Sequence, residues 1–157
     1  MTDPITDFAN RLGARISLDE KLVMKRENRY YLLNDNLKRL VRQDFFYAGI
    51  YLGKVKNDKF FPSFNLLRML AEKKANKIVV DKKTEWLFIC GRDIFKQGIT
   101  KVPDSTKKGD YTLILDQCGE CIGFGKILHT LDREKEGVVV KNISDIGDYL
   151  RREKQQF

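Results

Sequence analysis

The chain has one histidine, one tryptophan, three cysteines and three prolines among its 157 residues, and each scarcity excludes something. No apolar run approaches the ~20 residues that a membrane-spanning helix needs, and with 33% charged residues the chain is too polar for a membrane protein. The single histidine, His129, ends an apolar run with no nucleophile elbow beside it, so a Ser-His-Asp site has no support. No two carboxylates share an apolar setting, which leaves general acid–base catalysis without a seat; Asp104 and Asp110 read as solvated loop residues. An odd number of cysteines fits thiols in a reducing compartment better than a disulfide framework. The opening MTDPITDFANRLG lacks the basic region and apolar stretch of a secretory signal, so a cytoplasmic location is expected.

Cationic charge is what the chain has in excess. Lys and Arg number 30 against 22 Asp and Glu, a net +8 with a pI near 9.4, so a polyanion is a reasonable partner. Residues 1–80 carry 16 cations and 9 anions (+7), and residues 81–157 carry 14 and 13 (+1). Any nucleic-acid site in the second half is therefore a local patch.

The first half alternates helical and strand signals. Asp3-Pro4 predicts a helix start, and Ile5, Phe8 and Leu12 recur at helical spacing until Gly13. Leu22–Lys25 and Arg29–Leu33 read as a hairpin. Asn34 or Asp35 caps a helix whose Leu37, Leu40 and Val41 form its apolar stripe. Phe45–Val55 reads as a strand, Lys56-Asn57-Asp58-Lys59 as a turn and Phe60-Phe61 as the returning strand. Ser63 caps a helix from Phe64 through Ala75, and Lys77–Asp81 is a buried-type strand. After Lys82-Lys83-Thr84 the texture changes to short strands between glycine-bearing turns: Trp86–Cys90, Tyr111–Leu115, Ile122–Leu128 and Gly137–Asn142. Two short helices are expected among them, at RDIFKQG and after a capping Ser144. A boundary near residues 81–84 follows.

QCGECIGFGKI holds Cys118 and Cys121 in the CxxC spacing that binds zinc or forms a redox disulfide. Cys90, Cys118, Cys121 and His129 would complete a ligand set in kind, but no second closely spaced pair supports it. A disulfide, or two plain thiols in a hairpin turn with Gly119 at positive φ, are the other readings. Gly123-Phe124-Gly125 lacks the third glycine and following helix of a nucleotide fingerprint and reads as strand glycines.

FICGRDIFKQGIT, GDYTLILDQCGECIGFGK and VVVKNISDIGDYLRRE together resemble a PUA domain, a small RNA-binding pseudo-barrel. With GxxxGKVKNDKFFPSFNLLRMLA, Gly49 to Ala71, the chain resembles the Nip-seven family of ribosome-biogenesis proteins in a short archaeal form. The resemblance covers Phe45 to Glu153; within residues 1–44 only helix placement and RYYLL match. It implies an α+β chain: a helix-flanked antiparallel sheet domain, residues 1–81, followed by a PUA pseudo-barrel, residues 84–157. It further implies no enzymatic activity, no cofactor and no metal, including at the CGEC turn. Implied partners are pre-ribosomal RNA in single-stranded or loop segments, ribosome assembly factors and the exosome, for a monomer working away from membranes.

Carried over by position, the PUA face selects Gly91, Arg92, Lys96, Gly98 and Lys101 around GRDIFKQGITK, and Arg151, Arg152 and Lys154 in LRREK. Arginine forks phosphate and stacks on unpaired bases, lysine adds diffuse charge, and glycine admits a close backbone approach. Each has a plainer reading. Arg92 and Lys96 at i, i+4 would be a helix's solvated face, Gly98 its stop, and the last three cations would complement a helix C-terminus. Phe45, Phe46, Tyr47 and Tyr51 form either a stacking platform or core, and Lys82, Lys83, Lys107 and Lys108 add steering charge. The rival readings are a PUA translation factor acting on the small subunit or tRNA, a thiol or zinc protein built on CGEC, and an RNA-modifying enzyme. A PUA domain leaves little chain for the last.

Overall fold

A computed structural model describes residues 3–41, 47–103, 107–131 and 136–153. The first half forms α1 (Pro4–Arg11), a hairpin of β1 (Val23–Arg26) and β2 (Arg29–Leu32), α2 (Asp35–Leu40), a second hairpin of β3 (Ile50–Lys56) and β4 (Lys59–Pro62), and α3 (Phe64–Ala71). The helix starts follow their caps: Asp3, Asn34 and Ser63 each accept an amide from the first turn of α1, α2 and α3. β1 to β4 pair in sequence order as a four-stranded antiparallel sheet.

The second half adds β5 (Lys77–Val80), α4 (Lys82–Ile89), β6 (Ile94–Phe95), a 3-10 turn over Lys96–Gly98, β7 (Ile99–Lys101), β8 (Tyr111–Leu115), β9 (Cys121–Ile127), β10 (Val138–Asp145) and α5 (Ile146–Glu153). Six strands pair in the order β6-β10-β9-β8-β5-β7. β5 lies on the near side of the boundary expected at residues 81–84, yet it pairs in this second sheet, parallel to β8. Five spacings of ~4.8 Å would put the edges of a flat six-stranded sheet about 24 Å apart. Phe95 ends one edge strand and Ile99 begins the other, so the chain between them spans at most about 14 Å. The sheet must curl, and it does so into a nearly closed pseudo-barrel.

Two cores share β8. Ile114 points into the barrel with Ile78, Val80, Phe88, Ile94, Val139 and Val140. Leu113 and Leu115 point outward into a larger core with α1, α3, Leu52 and Phe124. Burial on both faces explains why YTLIL is an almost continuous apolar run. Phe8 of α1 bridges the two sheets, with ring centroids 5.7 Å from Phe60, 5.8 Å from Tyr111 and 5.1 Å from Phe124.

Several expectations are corrected. Trp86–Cys90 is not a strand: Trp86–Ile89 lies in α4 and Cys90 caps its end, while at its start Asp81 Oδ1 accepts the Thr84 amide at 2.7 Å and the buried pair Thr84 and Phe88 stands at i, i+4. RDIFKQG is not one helix: only Lys96–Gly98 takes a 3-10 turn, while Ile94 and Phe95 pair with Val140 and Val138 along the barrel edge, where tertiary pairing overrides helical spacing. Asp145, not Ser144, caps α5, accepting the Asp148 amide at 2.8 Å. The strand expected from Phe45 begins at Ile50, and Phe45 and Phe46 lie outside the described residues. α3 stops at Ala71 rather than Ala75, and Leu40 of the expected α2 stripe is 78% exposed.

Candidate nucleic-acid interface

The end of α4, the start of α5 and the bulged part of β10 meet at one corner. A helix leaves its last carbonyls without intrahelical donors, and here side chains from β10 and α5 supply them. Asn142 Nδ2 donates to Phe88 O at 2.9 Å and to Asp145 Oδ2 at 3.1 Å. Arg151 Nη1 donates to Ile89 O at 3.0 Å. Asp145 is only 3% exposed, and Arg151 Nη2 pairs with its Oδ1 at 3.2 Å. Asp93 Oδ1 accepts the Asn142 amide at 2.9 Å, tying in the segment that leads to β6. The carboxylate of Asp145 is thus buried but fully engaged, as a charge taken out of water must be.

The chain leaves α4 through a left-handed glycine. Gly91 has φ +91°, its amide bonds Phe88 O at 2.9 Å, and the Arg92 amide bonds Leu87 O at 2.9 Å, the double closure of a Schellman end. Gly91 and Arg92 are exposed, and the Arg151 guanidinium lies beside Gly91. Of the residues selected from sequence, these three come together.

The others are dispersed. Lys96 Nζ donates to the carbonyl of Leu131, which closes the 3-10 turn against the loop after β9. Gly98 is buried beneath α4: its carbonyl accepts the Asp81 amide at 2.9 Å, and a Cβ there would collide with Thr84 Oγ1. Lys101 is exposed on β7, opposite Val79. Arg152 lies in α5 with its side chain outside the described residues, as is all of Lys154.

One group was missed. Trp86, read from sequence as part of a short strand, is 68% exposed on α4, and its neighbour Leu87 carries the carbonyl that fixes Arg92. Asp81 three residues before Thr84 was the signal available, since a capping carboxylate there makes a helix and turns the indole outward. Tyr47 and Tyr51 cluster with Tyr31, at centroid distances of 5.4 and 5.6 Å from it.

The CGEC segment is a hairpin turn organised by Asp116. Its Oδ1 accepts the amides of Cys118 at 2.8 Å and Glu120 at 2.9 Å, and Gly119 takes φ +85°. Cys118 is exposed, whereas Cys121 is buried with its thiol directed at Gly123 O at 3.4 Å; Cys90, Cys118 and Cys121 are all free. Burial pushes the Cys121 thiol up to about 11, with the Glu120 carboxylate adding to the rise. Among the described residues, no group of three or more His, Cys, Asp or Glu side chains is placed to hold a metal ion, and no helix is long and apolar enough to cross a membrane.

The family model described as the UPF0113 PUA domain matches residues 76–154, half of the chain. The chain belongs to this family. A UPF0113 protein of Archaeoglobus fulgidus is 28% identical over 112 residues, covering 69% of this chain and 63% of the relative, so the match spans less than two thirds of that protein. The 60S ribosome subunit biogenesis protein NIP7 of Saccharomyces cerevisiae is 26% identical, over 83% of this chain and 77% of the yeast protein. The Danio rerio homologue is 27% identical over 80% and 75% of the two chains. A conserved PUA-domain protein from Thermoplasma acidophilum superposes on this UPF0113 member with a TM-score of 0.62 at 23% identity, over 95% of this chain and 91% of the other. That likeness confirms the pseudo-barrel fold.

Proposed function

We propose that this UPF0113 protein is a noncatalytic RNA-binding factor in assembly of the large ribosomal subunit, and that single-stranded or looped pre-ribosomal RNA docks at the α4–α5 corner. The observation that carries this reading is the exposed Trp86 on α4, five residues before the exposed Gly91-Arg92, where Gly91 lies beside Arg151. An outward indole offers a stacking face to an unpaired base while the guanidiniums reach phosphate; duplex bases cannot use it. Arg152 and Lys154 are proposed to contribute charge to the same RNA contact. Lys96 and Gly98 serve by holding the turn beneath the face. The relatives named as 60S biogenesis proteins support the pathway. Assembly factors, the exosome among them, are the expected protein partners of a cytoplasmic monomer.

The test is fluorescence anisotropy of the full chain with labelled uridine-rich single strands and with duplex RNA across a salt series. Preference for single strands, weakening with salt, and a roughly tenfold loss in Trp86→Ala/Arg92→Gln are expected. A wild-type chain that binds neither RNA at low salt overturns the RNA reading. Co-sedimentation with small-subunit rather than large-subunit precursors overturns the pathway.

A further inference from the structure

Two open clefts flank α1, and their charge separates them. The larger, about 830 Å³, is lined by Arg11, Lys59, Lys126 and Lys141 but also by Asp7, Asp58 and Asp148, so it is nearly neutral. The other, about 590 Å³, is lined among the described residues by Arg11, Lys74, Lys77, Lys101 and Lys107 and by one carboxylate, Asp110. Its cations come from four places: the end of α1, the α3–β5 connection with β5, the end of β7 and the loop before β8. All but Lys77 are well exposed, and among the described residues none of the five lies within ion-pair distance of a carboxylate. Arg11 is held in place by the Tyr111 ring, its guanidinium carbon 3.7 Å from the ring centroid.

Five cations gathered around one carboxylate repel one another, and among the described residues no ion pair compensates them. We infer that this cleft is a second RNA contact, a sequence-independent track for the phosphate backbone. RNA is favoured over an acidic protein segment because the described lining has no aromatic side chain of the kind that anchors protein interfaces, whereas scattered lysines suffice for phosphate. This rests on the reading that the protein binds RNA, and it gives part of the +7 excess of the first half a function. Lys101, selected above for the PUA face, belongs to this track together with Lys74 and Lys77.

The test repeats the salt series with Lys74→Gln/Lys101→Gln/Lys107→Gln in the full chain. These are exposed side chains, and a melting temperature unchanged from wild type verifies the fold. Each lost phosphate contact to a single strand removes about 0.7 from the slope of log affinity against log salt, so the triple variant is expected to lose about 2 and to bind roughly a hundredfold more weakly near 0.1 M salt, with the two curves converging near 1 M. Lysine acetylation footprinting of wild type then shows Lys74, Lys101 and Lys107 protected by RNA. An unchanged slope and no protection, with wild-type binding intact, overturn the cleft alone. Absence of wild-type binding overturns the functional reading with it. Displacement of bound RNA by poly-glutamate at equal charge concentration, accompanied by footprint protection from poly-glutamate alone, assigns the cleft to an acidic protein and overturns the proposal.

Discussion

The α4–α5 corner and the cleft beside α1 both present cations, but they use them in opposite ways. At the corner the Arg151 guanidinium donates to Ile89 O and to the buried Asp145, so much of its hydrogen-bonding capacity is consumed by the fold. In the cleft, the side chains of Lys74, Lys101 and Lys107 make no ion pair among the described residues. A cation counted from sequence is available to a ligand only to the extent that the fold has not already engaged it. The same contrast separates what a mutation should do: corner substitutions cost stability, and cleft substitutions cost only binding.

The largest expected effect lies at the corner. Asp145→Ala removes the acceptor of Arg151, Asn142 and the Asp148 amide together, and is expected to cost about 3 kcal/mol in urea unfolding. The triple lysine variant of the cleft should stay within about 0.5 kcal/mol of wild type in the same assay. Equal losses in the two variants would erase the contrast.

Behind the cleft, Lys77 sits close enough to the Cys121 thiol to lower its pKa slightly, but burial dominates and holds it near 11, above the ordinary 9.0. Between those values the folded chain keeps a proton that the unfolded chain releases, so stability falls as pH rises from 9 to 11. The expected loss specific to this thiol is roughly 1–2 kcal/mol at pH 10.5, read as the difference between wild type and Cys121→Ala.

A smaller effect sharpens the account of α4. The Asp81 carboxyl is held below its ordinary value first by the Thr84 amide, then by the Thr84 hydroxyl and Lys83. A depressed carboxyl contributes stability that is present above its unfolded value and lost as pH falls below about 4. Asp81→Ala is expected to cost about 1 kcal/mol at neutral pH and to flatten that acid limb.

Much of the fold was legible because it was written locally. Asp3-Pro4, Asn34 and Ser63 start helices where their short polar side chains meet orphan amides, and Asn57-Asp58 turns the second hairpin at φ 50° and 58°. The exchange of α4 and β6 was illegible for a physical reason. WLFIC has the aromatic and branched composition of a strand, yet only Phe88 of it is fully buried, because the fold leaves Trp86 and Leu87 outside. Ile94-Phe95 has no strand signal of its own and becomes one only because β10 lies alongside. The site suffered accordingly: Arg92 and Lys96, placed on one helix face by spacing, sit on either side of a two-residue strand. The cleft was invisible because Arg11, Lys74 and Lys101 are neighbours only after folding.

Phe8 carries a consequence for how the chain is made. Its ring packs against Phe124, 116 positions later in synthesis (124 minus 8). At ~5–20 residues per second, α1 waits roughly 6–23 s for the strand that covers it. During that interval the hydrophobic side of α1 has the first hairpins, α3 and, last of all, Tyr111 to lie against. This helix, though it precedes β9 by more than a hundred residues, is thus among the last elements to be sealed, and partial chains ending before β9 leave Phe8 without its Phe124 contact.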